Sequence, residues 1–219
     1  VGSEMCIRDR HMHGPDFPEL VVELVNEGKL SEERVNYACS KILEAKFKLG
    51  LFENRFVDED DISEKIFNQS HVETALKLAR QGIVLLKNND VLPLRSPKNS
   101  KNKILVTGPN ANNQSILGDW HSAQPDENVY TVFEGIKKIG TEMGYLVDYH
   151  NSNENIKRIS EKDISKTIEI ANEYDLIVLV VGDNSMRYKW NQKTAGENTA
   201  RAELNLAGKQ LELAMRLKE

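Results

Sequence analysis

Two short runs constrain this chain more than anything else in it. Residues 103–107 (Lys-Ile-Leu-Val-Thr) and 176–181 (Leu-Ile-Val-Leu-Val-Val) are apolar without alternation, and each is closed by a glycine, Gly108 and Gly182. A strand with one wet face alternates polar and apolar side chains, whereas one that is apolar on both sides has to be covered on both. Around these runs the period becomes helical. Residues 131–143 carry Val132, Phe133, Ile136 and Ile139; residues 164–174 carry Ile168, Ile170 and Ala171; residues 207–218 carry Leu211, Ala214 and Leu217. Residues 145–149 read as a further strand, and residues 83–88 (Ile-Val-Leu-Leu-Lys-Asn) as a short buried one. Strands alternating with helices predict an α/β fold, a three-layer αβα sandwich with a mainly parallel sheet over residues 71–219.

Such sheets bind ligands beyond the carboxyl ends of their strands. Those ends are the loops 108–120 and 182–204, and the second is far longer than the usual two to six residues. It holds the acids Asp183, Glu197 and Glu203, the cations Arg187, Lys189, Lys193 and Arg201, and the aromatics Tyr188 and Trp190. A carboxyl among cations and aromatic faces suits a polar, ring-shaped ligand; a solvated hydrophilic loop has the same composition. Loop 108–120 is Gly- and Asn-rich but is neither GxGxxG nor a P-loop, so nucleotide binding is not expected. His11, His13 and Asp16 precede a helix with no further ligand cluster, and His71, His121 and His150 are scattered, so no metal site is expected.

Ahead of the sheet lie two amphipathic helices. Residues 15–28 carry Leu20, Val21, Leu24 and Val25 and stop at Gly28. The next helix has Ser31 as N-cap, repeats Val35, Cys39, Ile42, Leu43 and Phe47 on one face, with Cys39 as a small core residue, and stops at Gly50. Residues 53–70, rich in acids, read as a linker, and a helix over 70–82 leads into the sandwich. The first two helices cannot bury both of their stripes against each other and are expected to need a partner outside this chain. A free-standing flavodoxin-like ligand-binding or regulatory module would have no use for them, whereas a truncated barrel would. Residues 1–10 have no periodicity and are expected to be a tag or an assembly artefact.

The net charge of −5 is spread along the chain and offers no basic patch for nucleic acid. The run 98–103 reads as a solvated turn. No apolar run approaches the ~20 residues of a membrane span, no secretory signal is visible, and two cysteines, Cys6 and Cys39, make no disulfide scaffold.

Several ordered blocks resemble the family 3 glycoside hydrolases. Residues 79–88 (Ala-Arg-Gln-Gly-Ile-Val-Leu-Leu-Lys-Asn) with Val91-Leu92-Pro93-Leu94 look like the opening of that family's second domain. Residues 104–111 resemble its first core strand and turn, and Leu117-Gly118-Asp119-Trp120 the turn that follows. Val180-Val181-Gly182, then Gly196-Glu197 and Ala200-Arg201 leading to 204–210, resemble its acid/base loop and next helix. Upstream, Met12-His13-Gly14-Pro15 and the helices to Leu51 look like the end of its (β/α)8-type barrel, giving a barrel remnant over 11–52.

The resemblance implies a retaining, exo-acting, β-glucosidase- or β-xylosidase-like hydrolase acting on oligosaccharides or aryl β-glycosides, without a cofactor. It implies that the nucleophile lies in the missing barrel, on which this chain would pack, and that Glu197 is the acid/base. An acid working near neutral pH would need its proton held by burial or by a neighbouring carboxylate. Trp120 would line the leaving-group side or pack in the core, and Asp119 and Arg201 are further substrate-binding candidates. Where many members carry Asp-Arg, this chain has Ala200-Arg201. Glu203 is expected at the start of the next helix. Localisation stays open, a periplasmic or secreted parent being one reading.

Overall fold

A computed structural model describes residues 16–97 and 102–218. Residues 1–10, His11, His13 and most of the 98–103 run fall outside the described residues. The chain divides into two compact units, Val1–Leu86 and Lys87–Glu219.

In the first unit, helix α1 is Phe17–Asn26, α2 is Glu32–Lys48 and α3 is Gln69–Gly82. Local chemistry sets their starts. Ser31 accepts from the Arg34 N–H to open α2, and Asn68 accepts from the His71 N–H to open α3. None of the three helices has a buried residue. Leu20, Leu24, Leu43, Phe47 and Leu76 are exposed, and so is Cys39, against the expectation that it would be core. The periodicity that makes a stripe is a property of the helix; its burial depends on a second surface, and the described residues of this unit leave it exposed. Residues 83–86 correct another expectation. They are extended and exposed and belong to no strand, because an apolar run becomes a strand only beside a partner edge.

In the second unit, β1 (Lys103–Thr107) is central, flanked by β2 (Leu146–His150) and β3 (Leu176–Leu179), in the order β2-β1-β3 and parallel throughout. Ile104, Leu105, Val106 and Thr107 are fully buried, as the doubly apolar run requires. Helix α4 (Val132–Glu142) covers the face of Ile104, Val106 and Val147 through Phe133 and Ile136. Helices α5 (Glu161–Ala171) and α6 (Gln210–Lys218) cover the other through Ile164, Ile168, Leu213 and Leu217, which meet Leu179. The result is an α/β three-layer arrangement around a parallel sheet. Capping boxes place α4 and α5: Thr131 with Glu134, and Ser160 with Asp163. The second box starts α5 three residues before the expected 164. α6 starts later than its apolar pattern implied, so Glu203 lies in the loop rather than at a helix start.

The carboxyl ends of β1 and β3 stay laced past the last strand residue. Val180 N–H donates to the Thr107 carbonyl at 2.8 Å. Gly108 makes this approach possible: its φ is +111°, and a Cβ there would lie 2.2 Å from the Val180 carbonyl oxygen.

Candidate active site

Because β1 and β3 are neighbours, the loops that follow them leave one edge of the sheet side by side. Their bases are tied. Gln210, fully buried at the start of α6, accepts from the Gly182 N–H at 2.9 Å and donates to the Gly182 carbonyl at 3.0 Å. Asn110 Nδ2 donates to the Asp183 carbonyl at 3.2 Å. The second loop then runs through a short 3-10 segment, Arg187–Gln192, and doubles back on itself. Thr194 N–H donates to the Asn184 carbonyl at 2.7 Å, and Asn184 N–H to Thr194 Oγ1 at 2.8 Å.

The doubling back lays Glu197 against Asp119 of the first loop. Glu197 N–H donates to Asp119 Oδ2 at 2.7 Å, and Trp120 N–H donates to Asp119 Oδ1 at 2.8 Å. Lys193 Nζ lies 3.4 Å from the same carboxylate and donates to the Glu197 carbonyl at 3.0 Å. Gly196 permits the contact. Its φ is +93°, and a Cβ would stand 2.3 Å from Asp119 Oδ2. Arg187 completes the cluster: its Nη2 pairs with Glu197 Oε2, its Nε lies 3.4 Å from Asp119 Oδ1, and its guanidinium stands 3.7 Å over the Trp120 ring. Trp190 lies under Lys193 Nζ at 4.5 Å.

The two carboxyl groups are treated differently. The N–H groups of Glu197 and Trp120, with the Lys193 ammonium, hold the Asp119 carboxyl below the usual carboxylate range, against partial burial that pushes it up. Asp119 is therefore a fixed carboxylate that organises backbone. The Glu197 side chain is 45% exposed and free of the backbone contacts that occupy Asp119, so it can meet a ligand. Trp120 is 73% exposed, and its φ of +58° is a conformation that costs a side-chain-bearing residue on the order of 1–3 kcal/mol.

Of the residues expected from sequence, the structure brings Asp119, Trp120 and Glu197 together. Arg201 instead donates through Nη1 to both oxygens of Asp183, each at 2.6 Å, and through Nη2 to the Asn205 carbonyl, bracing the loop's exit. In the sequence Arg187 and Lys193 are two of the loop's cations with nothing to mark a role. The glycine at 196, the sharp turn before a carboxyl, was the one signal that the loop folds back. Among the described residues, no group of three or more His, Cys, Asp or Glu could hold a metal ion, and no helix is long and apolar enough to cross a membrane.

Residues 83–219 match the family model described as the glycosyl hydrolase family 3 C-terminal domain. The chain belongs to glycoside hydrolase family 3. Among curated relatives, a beta-xylosidase of Formosa agariphila is 34% identical over 188 residues, covering 82% of this chain and 24% of that protein. A periplasmic beta-glucosidase of Salmonella typhimurium is 25% identical over 243 residues, covering the whole of this chain and 30% of that protein. Among solved structures, a beta-glucosidase involved in saponin metabolism from intestinal bacteria superposes with a TM-score of 0.77 at 30% identity, covering 95% of this chain and 31% of that one. A beta-glucosidase from Listeria innocua in complex with glucose gives a TM-score of 0.73 at 25% identity, covering 96% of this chain and 27% of that one. The chain thus spans 24–31% of the length of these relatives, all of them glycosidases by name.

Proposed function

We propose that this chain supplies the acid/base carboxyl and the leaving-group wall of a retaining, exo-acting β-glycosidase. The substrates are terminal β-linked glucosides or xylosides, in oligosaccharides or aryl glycosides. Residues 11–52 are read as the end of a barrel domain, 53–70 as the linker and 71–219 as the sandwich domain that packs on the barrel. Retention needs two carboxyl groups about 5–5.5 Å apart, one a nucleophile and one an acid that later acts as base. Asp119 is not that nucleophile, because its oxygens accept two backbone N–H groups and face Lys193. The nucleophile is assigned to the part of the protein outside this chain. Glu197 then protonates the glycosidic oxygen as the bond breaks and afterwards takes a proton from the incoming water. Trp120 offers the departing group an aromatic face.

The observation that carries this reading is Glu197 itself: its backbone is fixed at the carboxyl edge of the sheet, and its half-exposed carboxyl pairs with Arg187 rather than being buried, a contact it must leave to carry a proton to the leaving group. The test is Glu197→Ala in the full-length protein that carries this chain. Rates on substrates with poor leaving groups should fall about 10²- to 10⁴-fold, the usual worth of general acid catalysis, with good leaving groups far less affected. Azide, which needs no base, should restore turnover of an activated substrate and yield a glycosyl azide. Full activity of Glu197→Ala on poor leaving groups, with loss in Glu203→Ala or Asp183→Ala, would move the acid elsewhere in the loop.

A further inference from the structure

Lys193 is the largest fully buried side chain in the described residues, its side chain only 1% exposed, and it sits in the middle of a loop. Burying an ammonium is expensive unless it is paired and hydrogen-bonded. Its partners are therefore informative. One is the Asp119 carboxylate, 3.4 Å away on the other loop; the other is the Glu197 carbonyl at 3.0 Å. Asp119 in turn accepts the Glu197 N–H at 2.7 Å. The two polar groups of one residue's backbone are thus gripped by the two halves of one ion pair. The lysine is four residues upstream of Glu197 and the aspartate 78 residues upstream, so the grip fastens one loop to the other.

We infer that the Lys193–Asp119 pair is a positioning device that sets the carboxyl of Glu197 relative to the glycosidic oxygen. The inference rests on the acid/base reading of Glu197 and adds residues to it. Lys193 is buried and both Asp119 oxygens accept backbone N–H groups, so the pair acts through Glu197. A displaced Glu197 backbone moves its carboxyl by the same amount, and a misplacement of about 1 Å in a catalytic group can cost about 100-fold. Because the cost falls on proton donation, it must grow with the leaving group's need for a proton. A residue that only stabilised the fold would slow all substrates alike.

The experiment uses Lys193→Met in the full-length protein, with Lys193→Gln as a second variant that keeps a donor for the Glu197 carbonyl. Two readouts are taken. The first is kcat/KM across aryl β-glycosides of graded leaving-group pKa, alone and combined with Glu197→Ala. The second is hydrogen–deuterium exchange of the peptide containing Glu197. The expected result is a loss of about 10- to 100-fold confined to poor leaving groups, partial recovery in Lys193→Gln, no further loss when Glu197 is already Ala, and faster exchange in that peptide with β1 unchanged. Unchanged exchange, or an equal loss on all substrates, overturns the positioning role; the azide and leaving-group signature of Glu197→Ala then still stands for the acid itself. If Glu197→Ala lacks that signature, the acid reading falls and takes the inference with it. If neither Lys193 variant folds, Lys193 is a structural residue and the inference is overturned.

Discussion

Asp119 and Glu197 lie in contact and are assigned opposite work, and what surrounds each decides the difference. Asp119 accepts two backbone N–H groups and faces a buried ammonium, so its carboxyl is held below the ordinary value of 3.8. A carboxyl that releases its proton more readily when folded stabilises the fold fully above its unfolded value, and that stabilisation is lost as pH falls through the lower native value. Asp119→Asn in the full-length protein should therefore melt earlier than the parent at pH 7, and the gap should close as both are taken below pH 3.8. A gap that persisted at acid pH would mean that shape rather than charge is what Asp119 contributes. At this scale the sequence was partly legible. Gly118-Asp119-Trp120 and Gly196-Glu197 could be picked out, because glycines mark turns and carboxyls mark chemistry. The burial of Lys193 could not, because a lysine in a hydrophilic loop looks the same whether it is solvated or paired with a residue 74 positions away.

Among the elements, the helices and strands of the second unit follow from period and capping, and the misses have physical causes. The run at 83–86 has strand composition but pairs with no strand among the described residues, and composition cannot supply a partner. α5 starts early because Ser160 and Asp163 form a reciprocal cap, a stronger signal than the apolar stripe that begins at Ile164. The same region carries a titrating contact. His150, last residue of β2, has its Nε2 3.1 Å from Thr167 Oγ1 of α5. Burial, and Lys166 nearby, depress its pKa below 6.5, while Asp163 opposes them. Its proton is thus bound less readily when folded. The stability it confers is complete above pH 6.5 and is lost as pH falls through the lower native value. Between pH 7.5 and 5.5, thermal denaturation of the parent protein should shift downward, and His150→Gln should flatten that slope while keeping an amide for Thr167. An unchanged slope in the variant would place the titrating group elsewhere.

Two features belong to the scale of the whole molecule. The apolar stripes of α1, α2 and α3 lie exposed, and Glu197 stands with no second carboxyl able to act as nucleophile in the described site. Asp119, which accepts the Glu197 N–H, is occupied by the loop it holds. On the proposed reading the nucleophile lies outside this chain, which then keeps only the acid's share of catalysis, and partners in a covalent mechanism act as a unit rather than additively. The purified 219-residue chain should therefore show no measurable hydrolysis of aryl β-glucosides or β-xylosides, including those with good leaving groups, where the acid is scarcely needed and only the nucleophile limits the rate. Good leaving groups make the test sharp, since they are the substrates on which a lone nucleophile within the chain would reveal itself. Turnover near that of complete family 3 enzymes would place both carboxyls inside this chain and overturn the assignment of the nucleophile to the rest of the protein.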